Sequence, residues 1–337
     1  MSSLLILRRD EAQRLVGPAE AVAAVEAAWR SYGTHRKVLS TPSSMGLSGG
    51  GAVFKAKGAI LPRDGVAGFR LVADHAEETG RERTEEWFWL ADPGTGRPLA
   101  LVEGFGLHLL RTAATGAVAA RLLARPDCRV LGLVGTGRIA AALLAPLRLV
   151  LPGLEKVQVA ARRPASAETF ARQHAAPGLS IEPCATPAEA VAGADLVVTI
   201  TAAAAAFLRP EHLSPGATVI GLGDTEIEAG VLTQWADRFI VDDLAFALVT
   251  GSVAGWVASG ALTRDAVAAR LDADVGEVAL GPPRGRAAPA QNVLAVVQGM
   301  AVGDLALAAL AWRRAMETGA GASVPLSMEG TRCARQG

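Results

Sequence analysis

Val130-Leu-Gly-Leu-Val-Gly135-Thr-Gly137-Arg-Ile-Ala140 is the stretch that decides the fold. An apolar strand, a tight glycine turn and the start of a helix follow in immediate succession, so the free N–H groups of the helix face the turn, where a pyrophosphate can sit. Gly135 permits the turn, Gly137 lets backbone and phosphate approach, and Ala140 allows the helix to pack closely on the strand. The glycines alone are a weak signal; the chain after them strengthens it. From Cys128 the sequence alternates strand and helix, with strands expected at Arg129 to Val134, Lys156 to Ala160, Leu179 to Ile181, Asp195 to Ile200, Thr218 to Leu222 and Arg238 to Val241. That rhythm requires a parallel doubly wound sheet. The expected fold class is α/β: a Rossmann-type sheet plus a second, mixed α+β domain.

Upstream of the glycine turn, Leu109 to Ala124 reads as a long Ala-rich helix ended by Arg125-Pro126. Between Ser40 and Gly106 the character changes to Gly clusters, prolines and short β-leaning runs, Gly51 to Lys57, Gly65 to Val72 and Glu86 to Ala91, the strands of an antiparallel or mixed sheet. Gly17 to Trp29 carries Val22, Val25 and Trp29 at helical spacing. Downstream, Asp304 to Met316 reads as a helix opened by an acidic residue, and Arg332 to Gly337 as a frayed end. A last helix that returns to the first domain makes that domain discontinuous. The expected division is residues 1–116 with 300–330, a dinucleotide-binding domain 117–299, and a tail 331–337.

Composition excludes several classes. A chain of 337 residues, half of them hydrophobic and 20% charged, has the material for two domains with buried cores. Lys+Arg and Asp+Glu both number 33, so no nucleic acid or other polyanion is implied. Cys128, Cys184 and Cys333 form no Cys-x-x-Cys pair and suit a reducing cytoplasm. The five histidines lack ligand spacing, and no metal site is expected. The first residues do not read as a signal peptide, and no segment approaches the roughly 20 apolar residues of a membrane span. A cytoplasmic protein without a membrane partner is expected.

In a Rossmann unit an acidic residue after the second strand grips the adenosine ribose, but here Val159-Ala-Ala-Arg162-Arg163-Pro164 has none. Arg162 and Arg163 offer guanidinium groups to a 2′-phosphate instead, so NADP is preferred over NAD. The candidate cofactor contacts are Thr112, Gly135, Thr136, Gly137, Arg138, Ile139, Arg162, Arg163 and Thr201.

Leu110-Arg111-Thr-Ala-Ala-Thr-Gly116-Ala, followed by the Gly135 turn, resembles the ornithine cyclodeaminase and mu-crystallin family. Asp92-Pro-Gly-Thr-Gly96-Arg-Pro, Gly223-Asp224, Val241-Asp-Asp243 and Gly299-Met-Ala-Val-Gly-Asp304 extend the likeness over nearly the whole chain. The resemblance implies a homodimer whose N-terminal domains pair, an active site between that domain and the Rossmann domain, and hydride transfer at the Cα of an amino or imino acid. It assigns Arg111 to the substrate carboxylate, a task that suits a bidentate guanidinium. It also assigns Asp224 to proton exchange at the amine or imine.

Two departures bear on substrate. Arg70 stands where the family usually has a lysine, and a guanidinium can orient and polarise but not act as a general base. Pro42-Ser43-Ser44 lacks an arginine the family carries there. Lys55 and Lys57 share one strand face where the resemblance suggests Glu and Met, so a distal substrate amine is repelled, and either a second acidic group is favoured or the lysines replace the missing arginine. The expected activity is an NAD(P)-dependent amino-acid dehydrogenase or imine reductase. A cyclodeaminase with tightly held NAD is the alternative enzyme, and a catalytically silent, crystallin-like nucleotide-binding protein is the alternative outside enzymes.

Overall fold

A computed structural model describes residues 3–36, 38–40, 43–46, 51–76, 82–282 and 284–326. Pro42, Cys333 and the expected frayed tail lie outside them, and of Ser43 and Ser44 only the backbone is described. The strands are β1 Ser3–Leu7, β2 Ser43–Gly46, β3 Ala52–Leu61, β4 Val66–Ala76, β5 Glu82–Ala91, β6 Pro98–Glu103, β7 Val130–Val134, β8 Lys156–Ala160, β9 Ser180–Pro183, β10 Leu196–Thr199, β11 Thr218–Gly221, β12 Arg238–Val241, β13 Ala273–Asp274, β14 Val293–Val296 and β15 Ala322–Pro325.

The second half forms the expected parallel sheet, in the order β13-β12-β14-β11-β10-β7-β8-β9. Its central strands are short, nearly continuous apolar runs with every residue of β10, β11 and β14 buried, as helices on both faces require. Strand order reverses between β7 and β10, which opens a crevice at the carboxyl ends of the strands beside the Gly135 turn. Each expected strand of this half is present within a residue or two. β14, central in the sheet, is absent from the sequence expectation.

The other sheet is mixed, ordered β15-β1-β6-β5-β4-β3-β2, with β1 and β6 parallel and the remaining pairs antiparallel. The helix Ala301–Thr318 covers the inner face of β3, β4 and β5. Alternation along β2, β3 and β4 turns Met45, Phe54, Ile60, Phe69 and Leu71 outward, and all five are exposed.

Helix limits differ from the sequence reading where burial outlasts the obvious pattern. The first long helix is Pro18–Thr34 rather than ending at Trp29, because Tyr32 continues its buried face. The Arg111 helix spans Phe105–Leu123 and runs through residues 116 and 117, where the sequence placed a boundary. The last helix begins at Ala301, so Asp304 lies inside its first turn instead of opening it.

Candidate functional site

A cavity of about 1600 Å³ lies between the carboxyl ends of the parallel strands and the inner face of β3 and β4. Every residue singled out from the sequence as a site candidate lines it except Arg163. Arg163 instead occupies the N-cap position of the helix Pro164–His174, outside the cavity that its neighbour Arg162 lines.

At one end the glycine turn connects β7 to the helix Arg138–Val150. Gly135 has φ +123°, and a Cβ there would stand 2.2 Å from the Ile200 carbonyl oxygen, so only glycine fits. Gly137 caps the helix without a side-chain bond, and a Cβ there would meet nothing within 4 Å. The helix N-terminus, with first N–H groups that have no partner within the helix, borders the cavity through Gly137, Arg138 and Ile139, which fits a pyrophosphate. Arg138 lies over the Phe105 ring at 4.5 Å, and Arg162 marks the far end of the cavity, past β8.

The opposite end is built from charged groups drawn from four elements. Arg111 is 1% exposed; its Nε donates to Asp304 Oδ1 at 2.5 Å and its Nη2 lies 2.9 Å from His108 Nδ1. Its Nη1 is buried without a hydrogen-bond partner among the described residues. Gly299, at φ +87°, makes room for this guanidinium, because a Cβ there would fall 1.7 Å from Nη1. Burial alone would raise the Asp304 carboxyl, but the Arg111 and Arg70 guanidinium groups outweigh it and hold the acid well below the usual carboxylate range. Arg70 Nε bonds Glu86, which is itself 1% exposed. Burial, reinforced by both arginines, pushes the His108 imidazole down, so it stays neutral near pH 7.

Lys55 and Lys57 do share the inner face of β3, yet their surroundings differ. Lys55 is half-exposed and bonded to Asp74 at 2.8 Å. Lys57 is recessed, lies 4.7 Å from the centre of the Phe246 ring, and stands directly across from Arg70 in the β3–β4 register. Burial, and then the charge of Arg70, pushes its ammonium down to about 8.

Asp224 projects into the cavity from the loop after β11. Glu226 fixes that loop: its carboxylate accepts from Thr199 Oγ1 at 2.6 Å, from the Gly223 amide at 3.0 Å and from the Thr201 amide. One buried acid therefore ties the loop carrying Asp224 to the loop carrying Thr201. Asp242, which burial pushes up to about 6, accepts from the Gln298 and Gly299 amides and so holds the segment against which Arg111 rests.

Glu86, His108 and Glu226 are not singled out as site residues from sequence, and Asp242 enters only within the Val241-Asp-Asp243 motif. Asp304 is read from sequence as a helix opener and as part of a motif that carries the resemblance, not as a site residue. A carboxylate inside an otherwise apolar helical face, as in Gly303-Asp304-Leu305-Ala306-Leu307, was the available signal for a buried ion pair. Among the described residues no cluster of His, Cys, Asp and Glu could hold a metal ion, and no helix is long and apolar enough to cross a membrane.

Comparison with known proteins adds a lineage. The sequence model described as ornithine cyclodeaminase/mu-crystallin family matches residues 5–319. An ornithine cyclodeaminase from Agrobacterium tumefaciens (strain Ach5) is 35% identical over 182 residues, a match spanning 51% of this chain and 51% of that relative. A solved archaeal alanine dehydrogenase dimer with bound NAD superposes with TM-score 0.87 and 27% identity, covering 97% of this chain and 100% of that one. The iminosuccinate reductase of Paracoccus denitrificans, in complex with NAD+, superposes with TM-score 0.83 and 25% identity, covering 96% of this chain and 100% of that one.

Proposed function

This chain belongs to the ornithine cyclodeaminase/mu-crystallin family, and we propose that it is an NAD(P)-dependent oxidoreductase acting at the Cα of an amino or imino acid. The observation that carries the proposal is the buried, partnerless Nη1 of Arg111 at a cavity that also holds a glycine turn fit for a dinucleotide. Bound there, the nicotinamide supplies or accepts a hydride at Cα. Arg111, held by Asp304, receives the α-carboxylate, and Arg70 reinforces the positive field. Neither guanidinium can exchange protons; the family resemblance assigns that role to Asp224, which lines the same cavity. In the reductive direction an amine adds to a 2-oxo acid and water leaves, giving an imine; hydride at Cα and a proton at nitrogen then complete the amino acid.

Arg162, beyond β8 with no acidic residue beside it, favours NADP over NAD. In the same reading, residues 1–116 with 300–330 form the substrate-binding and pairing unit and 117–299 the dinucleotide unit. The outward apolar face of Met45, Phe54, Ile60, Phe69 and Leu71 supports pairing of two copies. The decisive assay follows cofactor absorbance with 2-oxo acids and amines. Steady NADPH or NADH consumption supports the oxidoreductase. Product without net consumption indicates a cyclodeaminase, and cofactor binding without either indicates a silent nucleotide-binding protein.

A further inference from the structure

The cations of the substrate end are unequally provided for. Arg111 has Asp304, Arg70 has Glu86 and Lys55 has Asp74. Lys57 has the Phe246 ring and, among the described residues, no hydrogen bond or ion pair. Asp304 and Asp242 favour its charge without bonding it: Asp304 Oδ1 holds Arg111 and Asp242 Oδ2 the amides of Gln298 and Gly299, while Asp304 Oδ2 and Asp242 Oδ1 are buried with no hydrogen-bond partner among the described residues. Cross-strand register sets Lys57 opposite Arg70, at a separation of about 5 Å between Cβ atoms, where like charges oppose each other.

A recessed ammonium facing a guanidinium is costly unless a ligand completes it. An apolar substrate side chain would desolvate Lys57 without compensation, and an aminoalkyl chain would add a further positive charge. A carboxylate answers both cations at once. Lys57 also lines a smaller cavity of about 200 Å³ together with Arg36, Ser40, Asp243, Phe246 and Met300, so open space adjoins this residue on a second side. Building on the oxidoreductase reading, we infer that Lys57 is the specificity residue for a second carboxylate, and that the substrate is a 2-oxo or 2-imino dicarboxylic acid with its α-carboxylate on Arg111. Lys55, neutralised by Asp74, takes no part.

The test uses the full-length protein with NADPH or NADH, ammonium, and either oxaloacetate or 2-oxoglutarate against pyruvate or 2-oxobutyrate. The wild-type protein is expected to favour a dicarboxylate in kcat/KM. Lys57→Met should reduce the dicarboxylate-to-monocarboxylate ratio of kcat/KM by roughly 10- to 100-fold, mainly through KM, the range of a charge-assisted hydrogen bond. Lys57→Arg should retain the preference, and Lys55→Met should leave the ratio within about 2-fold. Calorimetry of malate against lactate, with NADP+ present, should show the same loss of discrimination in Lys57→Met without turnover, and an unchanged melting temperature certifies the fold. Equal loss on both acid classes would overturn the inference, as would a wild-type preference for monocarboxylates, and either would leave the oxidoreductase reading standing. Cofactor oxidation with none of these acids would remove both.

Discussion

Asp304→Ala is the substitution whose cost the structure defines best. Asp304 is fully buried, lies 2.5 Å from Arg111 Nε and is also favoured by the charge of Arg70. Its loss leaves a 1%-exposed guanidinium with His108 as its remaining hydrogen-bond partner. Removing one member of such a pair costs about 3–5 kcal/mol, a large part of the roughly 5–15 kcal/mol by which a domain is stable. Urea unfolding followed by tryptophan fluorescence near neutral pH should therefore show that loss. The double variant Arg111→Met/Asp304→Leu should recover most of it, since no buried charge is then unpaired, while leaving substrate binding absent. Because the folded acid is held below its unfolded value, the stabilisation is present above the ordinary Asp range of about 3.9. It is lost progressively as pH falls through that value toward the folded one, so the difference between wild type and Asp304→Asn should narrow in acid. An Asp304→Ala protein within about 1 kcal/mol of wild type at neutral pH would refute the reasoning, because a buried charge cannot lose its partner at so small a cost.

Gly137→Ala should keep the wild-type melting temperature, since a Cβ there meets nothing, yet weaken NADPH binding by fluorescence titration at least about 10-fold; Gly135→Ala should unfold at lower temperature because its Cβ strikes the Ile200 carbonyl. Arg162→Ser should weaken NADPH about 10-fold relative to NADH, whereas equal effects on both would deny it the 2′-phosphate. Glu226→Ala, which frees the Gly223 and Thr201 amides, should cost about 2–3 kcal/mol in urea and lower kcat, through drift of the Asp224 loop. KM for a dicarboxylic substrate should rise above pH 8 as Lys57, depressed by burial and Arg70 to about 8, loses its proton; a flat profile would show that the ammonium is not used.

The Rossmann half was legible because its signals are local: apolar runs of strand length, a turn that demands glycine, and helices between. β14 escaped, although Val293 to Val296 is a run of the same kind, since it pairs between β11 and β12 after a long excursion. β15 is a short edge strand and β1 its short neighbour, and their pairing joins distant parts of the chain, which no window of sequence displays. Arg111 was found through its motif, but Asp304, 193 residues away, was not recognised as its partner. Period-2 spacing correctly put Lys55 and Lys57 on one face. It could not reveal that Asp74 bonds one while, among the described residues, no carboxylate bonds the other. Arg162 and Arg163 looked equivalent in sequence until a helix start separated them.

The pairing of β1 with β15 sets a timetable for synthesis. Ser3 meets Pro325, so at roughly 5–20 residues per second the outer edge of β1 waits about 15–65 s on the ribosome before its partner emerges. All strands of the parallel sheet are translated within that interval, and its fold can form while the first sheet still presents an unpaired edge. A chain that stalls before Ala322 would carry a finished nucleotide fold beside an adhesive strand, the kind of edge from which aggregation begins.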